Sequence, residues 1–180
     1  MSIIIYKWFW AWNFDKEEKW LNEMSEKGLQ LTDVKAIRYK FDEGKTNEYT
    51  YRIELLDNLP SSKKSRDYLR FLEETGVEMI GSYLRWVYLR KKKSEGDFDL
   101  FSDLDSRISH LTRILYFLAV FIPIELLCAV DLWCSFTIHA EAYNLIVALL
   151  SSVLEVLIII GVFRIYKERK RLKVERCLHE

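Results

Sequence analysis

The sequence predicts a small α+β domain followed by two membrane-spanning helices, and three observations carry that prediction. The charge is segregated: Lys and Arg (27) balance Asp and Glu (27) over the 180 residues, yet no Lys or Arg occurs between Ile114 and Phe163. Two apolar runs fill that gap, ILYFLAVFIPIELLCAVDLWCSF from Ile114 and YNLIVALLSSVLEVLIIIGVF from Tyr143. At about 1.5 Å per residue, each is long enough to cross a hydrocarbon core of about 30 Å. Upstream, segments of strand-like alternation and of helical periodicity follow one another in the order βαββαβ.

The first strand is the β-branched and aromatic run from Ile3 to Trp12. A helix follows, with Asn13 or Asp15 as cap and Glu18 three residues after Asp15. Its apolar residues Phe14, Trp20, Leu21 and Met24 fall at helical spacing, and Gly28 ends it. Leu29 to Phe41 and Asn47 to Leu56 read as two strands of a hairpin around Asp42 to Thr46, with Tyr49, Tyr51, Ile53 and Leu55 alternating against Thr50, Arg52 and Glu54. After Pro60 a second helix starts near Ser61 or Ser62, carries Tyr68, Leu69, Phe71 and Leu72, and stops at Gly76. A last strand spans Val77 to Arg90, bulged at Gly81.

This order predicts a ferredoxin-like fold, two helices over one face of a four-stranded sheet. The expected organisation is a soluble domain over residues 1–93 and an amphipathic stem over 94–112. A first span follows over 113–136, then an external loop over 137–142, a second span over 143–163 and a basic tail over 164–180. The stem sets Phe98, Phe101, Leu104, Ile108 and Leu111 near helical spacing against four aspartates. That acidic side favours packing on the domain or on a second copy over lying on anionic lipid.

Orientation follows from the flanks, because basic residues are retained on the cytoplasmic side. Lys91, Lys92, Lys93, Arg107 and Arg113 precede the first span, and Arg164 to Arg176 supply a basic cluster after the second. The loop between has no Lys or Arg. Both termini are therefore expected in the cytoplasm, in a multi-pass protein of the cell membrane. The N-terminal MSIIIYKW lacks a basic leader and a long apolar core, which agrees with a cytoplasmic domain.

Three acids fall within the spans: Glu125, Asp131 and Glu155. A carboxyl group in hydrocarbon is costly, so each is expected to face protein or to be protonated. Counting helical rise from the cytoplasmic ends places Glu125 and Glu155 within about one turn of each other. They read either as a proton-sharing or subunit-contacting pair, or as two acids tolerated inside a hairpin. Pro123 is expected to bend the first span just before Glu125.

Catalysis is not expected. The cysteines are Cys128, Cys134 and Cys177, the histidines His110, His139 and His179, and neither set has metal-ligand spacing; each His reads as a surface or interfacial residue. No phosphate-binding glycine loop is present, and no cofactor is implied. On the uncovered face of the predicted sheet, alternation places Lys7, Arg38, Lys40, Arg52, Glu54 and Arg85, interleaved with Phe9, Tyr83 and Val87. Such a face reads as a surface for a protein partner or small anionic ligand, or as an ordinary solvated face. Nucleic acid is disfavoured because no RNA-recognition signature appears between Glu48 and Leu56.

Several segments carry a resemblance: FWAWNFDKEE from Phe9, WLNEM from Trp20, YRIELL from Tyr51, FLEETG from Phe71, RWVY from Arg85 and FDLFSDLDSR from Phe98. Together they resemble the bacterial family known as domain of unknown function 2812, over roughly residues 1–112. The resemblance implies no catalytic residues. It implies C-terminal membrane helices and, through frequent neighbourhood with PadR-like transcriptional regulators, membrane-linked regulation. The functional expectation is a membrane-tethered regulatory or sensory module whose cytoplasmic domain binds a protein partner or small anionic ligand without catalysis. The alternative is an accessory subunit of a membrane complex such as a transporter, engaged through the hairpin. Membrane lipid is an expected partner in both, and a homo-oligomer is compatible with either.

Overall fold

A computed structural model describes residues 2–101 and 103–179, with the side chain of His179 set aside. The chain forms two compact units, 1–103 and 104–180.

The first unit is mixed α and β, built from the same motif twice. In the first repeat, β1 (Ser2–Tyr6) leads through a short 3-10 turn to α1 (Phe14–Glu26), then β2 (Leu29–Lys35) and β3 (Arg38–Glu43). In the second, β4 (Tyr49–Leu55) leads to α2 (Lys63–Glu74), then β5 (Val77–Tyr83) and β6 (Trp86–Lys92). Each repeat makes a three-stranded antiparallel sheet, with orders β1-β3-β2 and β4-β6-β5.

From their helices onward the two repeats keep one register at an offset of 48 residues, while β1 and β4 stand at 49, Tyr6 facing Arg38 as Leu55 faces Trp86. Gly28 and Gly76 end their helices in the left-handed region, at φ 79° and 85°. The second strand of each sheet is irregular at matching points, Leu31/Asp33 and Met79/Gly81. Each hairpin then turns on a non-glycine residue of positive φ, Ala36 at 47° and Leu84 at 55°. The helices agree as well: buried Leu21 corresponds to buried Leu69, and buried Glu17 to buried Ser65.

This architecture corrects the expected βαββαβ order and its single four-stranded sheet. Leu29 to Phe41 is not one strand but the β2–β3 hairpin, and Val77 to Arg90 is likewise β5–β6. Asp42 to Thr46 lies between repeats rather than at a hairpin tip, and β4 pairs with β6. The tight turns are Ala36-Ile37 and Leu84-Arg85, which lack the Asn-Gly or Asp-Gly chemistry that marks a two-residue hairpin.

The main core lies between α1 and the facing sides of the two sheets. Leu31, Val34, Tyr39 and Phe41 come from the first sheet, Tyr51, Ile53, Leu55 and Tyr88 from the second, and Leu21 and Met24 from α1, all buried. Half-buried Trp20 stands edge-on to Tyr39 and Phe41, at ring-centre distances of 5.0 and 5.6 Å. The two sheets meet where β2 and β5 run side by side. A Cβ at Gly81 would come within 2.9 Å of Val34 Cγ1 there, so the bulge needs a residue without one. On the other face of the second sheet, Leu69 of α2 packs with Leu56, Val77, Val87, Leu89 and Phe98. Phe98 and half-buried Leu100 lie between the 3-10 turn Lys93–Glu95 and the α-helix that begins at Leu104, so the apolar residues of the stem do not share one helix.

The second unit is helical: α3 (Leu104–Ala119), α4 (Phe121–His139) and α5 (Ala142–His179). Leu104–His139 and Ala142–Leu178 are each long and apolar enough to cross a membrane. The break at Val120 has a local cause, since the ring of Pro123 conflicts with the carbonyl four residues back, that of Ala119. Left-handed Ala140 (φ 51°) reverses the chain into α5. Along α5 the buried Ser151, Ile158, Ile165 and Leu172 recur every seventh residue, the seam spacing of packed helices. Buried Leu111, Leu118 and half-buried Glu125 do the same along α3 and α4. The basic tail continues α5 without a break and pairs with the acidic stem, Arg176 to Asp105 at 2.6 Å and Arg107 to Glu168 at 3.9 Å. His110, expected at a surface or interface, is buried.

Candidate functional site

The residues expected on one basic face are divided between the two sheets, and Lys7, Arg38, Arg52, Glu54 and Arg85 each have a local partner. Lys7 leaves β1 and holds its ammonium 4.5 Å from the Trp20 ring centre and 5.0 Å from that of Phe9. Arg38 opens β3 and pairs with Asp33 of β2. Arg52 of β4 pairs at 3.2 Å with Glu18 of α1, both side chains being about one-quarter exposed (28% and 23%). Glu54 is buried and accepts a hydrogen bond from the Tyr68 hydroxyl of α2 at 2.9 Å. Arg85 sits in the β5–β6 turn and donates from Nε to the Leu56 carbonyl at 2.7 Å.

The physical reason is the duplication. Arg52 and Glu54 alternate onto the side of β4 that α2 covers, beside their cross-strand neighbours Leu89 and Val87. Val87, expected on an open face, is therefore buried. Arg38 and Lys40 instead share the outer face of the first sheet with the exposed side chains of Ile4 and Tyr6.

Two polar constructions escaped the sequence reading. The first is a carboxyl in the core: Glu17 Oε1 accepts from Tyr39 Oη at 2.6 Å and from Tyr88 Oη at 2.7 Å, one phenol from each sheet. Burial raises the Glu17 pKa above its ordinary value of 4.5, and the two phenol hydrogen bonds partly oppose that rise. Burial and the adjacent carboxyl push both tyrosines well above the usual phenol range. The group ties α1 to both sheets. The sequence signal was a Glu at position 17, one helical turn before Leu21 on the apolar side of α1.

The second is a helix that closes a sheet edge. β4 is an edge strand, and the backbone groups of Tyr49, Tyr51 and Ile53 point away from β6. Asn22 donates to the Tyr51 carbonyl at 3.0 Å and accepts from its N–H at 2.9 Å. Ser25 Oγ donates to the Tyr49 carbonyl at 2.9 Å, and Glu18 Oε2 accepts from the Ile53 N–H at 3.1 Å. Positions 18, 22 and 25 lie on one stripe of a helix, so α1 stands where a further strand would bond. Burial raises the pKa of Glu18, against the opposing pull of Arg52.

In the helical unit, Glu125 accepts from Ser151 Oγ at 2.8 Å, across the α4–α5 seam. Glu155 lies one turn further along α5, and its Oε2 is enclosed without a hydrogen-bond partner among the described residues. Asp131 is exposed. Among the described residues no three His, Cys, Asp or Glu side chains stand together as metal ligands would.

The family model described as protein of unknown function (DUF2812) matches residues 13–122, and the chain belongs to that family. The matched segment runs from the residue before α1 to the second residue of α4. The chain has no match among curated proteins or among solved structures.

Proposed function

We propose that this member of the DUF2812 family is a membrane-tethered regulatory module: the α4–α5 hairpin anchors it, and the two-repeat unit docks a protein partner from the cytoplasmic side without catalysis. One observation carries the reading. The outward surface of the hairpin is apolar, with Leu127 at 72% and Leu150 at 65% exposure, whereas Glu125 and Ser151 meet on its inner seam. Such a surface in water would be a large exposed hydrophobic patch; in lipid it is solvated.

The arginines support a small anionic ligand less well, because Arg38, Arg52 and Arg85 are spread over two sheets and engaged locally. The better docking surface is aromatic. Tyr6 and Trp8 are exposed at 68% and 61%, and Trp8 leans edge-on against Trp10, itself stacked on Trp12. The enclosed Glu155 oxygen favours the second reading, an accessory subunit engaged through its hairpin.

Affinity capture after in-cell cross-linking separates the two, comparing the full chain with a fragment of residues 1–103. A regulatory module retains its partner in the fragment. An accessory subunit loses it with the hairpin.

A further inference from the structure

The groove beside α2 is the second repeat's counterpart of the slot that β4 fills in the first. It is an open groove of about 590 Å³ lined by Arg66, Leu69, Arg70, Glu73 and Met79, among others. At the repeat offset of 48 these correspond to Glu18, Leu21, Asn22, Ser25 and Leu31. In the first repeat those residues surround β4: Glu18, Asn22 and Ser25 bond its edge, and the Leu31 N–H donates to Tyr51 Oη at 2.9 Å. The α2 groove is thus built like a strand slot, and its lining Arg66, Arg70 and Glu73 are exposed.

The complementary half of that joint is β1, the first-repeat counterpart of β4. The Lys7 N–H bonds to the Ile37 carbonyl beyond the start of β3. Antiparallel alternation therefore turns the backbone N–H and C=O of Ser2, Ile4 and Tyr6 away from β3. In β4 the equivalent residues, 49 positions on, are Tyr51, Ile53 and Leu55, and the same alternation turns the backbone groups of Tyr49, Tyr51 and Ile53 toward α1. β1 is an edge strand with exposed Ile4 and Tyr6 side chains, the kind of edge that invites pairing.

The geometry points to head-to-tail association of this chain with a second copy, in which β1 of one copy enters the α2 groove of the next and repeats the internal α1–β4 joint. Carrying the internal register across, with α1 and α2 related by 48 residues and β1 and β4 by 49, sets Arg66 against Ile4 and Arg70 against Ser2, with the guanidinium groups donating to strand carbonyls. The contact is heterologous, so it generates rings or open chains rather than two-fold dimers. The inference does not depend on the membrane reading.

The test uses the full chain with Cys128, Cys134 and Cys177 replaced by Ser. One tagged version carries Ile4→Cys, a differently tagged version carries Arg66→Cys, and the two are co-expressed and treated in the membrane fraction with a short bis-maleimide. The expected result is a product joining the two tags that neither version forms alone. A product from Ile4→Cys alone means that β1 edges pair with each other, and overturns the proposal; so does the absence of any product from chains that melt like the wild type. Ile4→Pro supplies an independent reading, because its outward N–H makes no bond to β3 and its loss leaves the sheet intact. This variant is expected to return the detergent-solubilised protein to single-copy mass. A wild-type mass already that of one copy, or one unchanged by Ile4→Pro, overturns the proposal.

Discussion

Asn22 and Tyr51 exchange two hydrogen bonds, the side-chain amide of one with both backbone groups of the other. The pairing imitates a strand ladder with a helix side chain, and it closes an edge that would otherwise be open to another chain. Asn22→Ala removes both partners at once and leaves a strand N–H and C=O beside the helix. The expected cost is about 1–3 kcal/mol, read as a lower urea midpoint with unchanged slope. Asn22→Asp, which keeps the acceptor, is expected to cost less.

The buried carboxyl of Glu17 makes stability depend on pH in a definite direction. Its folded pKa is raised, chiefly by burial, so above the ordinary value of 4.5 the folded chain holds a proton that the unfolded chain has released. Stability from this group is therefore fully present below the unfolded pKa and lost as pH rises through the folded one. Glu18 is shifted in the same direction and remains in the variant, so the difference between Glu17→Gln and wild type isolates position 17. Glu17→Gln is expected to flatten that part of the stability profile and to be relatively more stable at neutral pH than under acid. Parallel pH profiles of the two chains would remove Glu17 as the cause.

The duplication makes a paired prediction about glycines. Gly28→Ala and Gly76→Ala both force a Cβ into the left-handed region, at roughly 1–2 kcal/mol each. Position 28 is expected to be the costlier, because its new Cβ meets the Gly44 backbone carbonyl at 3.2 Å. At position 76 the nearest atom is the movable end of Glu95. Thermal melting of the two variants checks the order.

Helices were more legible in the sequence than sheet topology. Gly28 and Gly76 mark both helix ends as chemistry requires, and the apolar runs announce α4 and α5 by length alone. The hairpin turns stayed hidden because Ala36-Ile37 and Leu84-Arg85 carry no turn signature; their positive φ values come from strand pairing around them. With those turns unseen, two repeats collapse into one βαββαβ pattern, and residues of different sheets fall onto one imagined face. That error joined Arg52 and Glu54 to Arg38. It also concealed the role of Glu18, Asn22 and Ser25, which read as ordinary polar positions until β4 is known to be an edge.

A cytoplasmic two-repeat unit tethered by a membrane hairpin makes a definite prediction for intact cells labelled with a membrane-impermeant thiol reagent. Cys177 lies exposed near the end of α5, and His139→Cys places a thiol at the end of α4. With Cys128 and Cys134 replaced by Ser, label is expected at position 139 from outside, and at Cys177 only after the cells are permeabilised. Labelling of Cys177 in intact cells, with position 139 protected, would put the C-terminus outside and reverse the orientation.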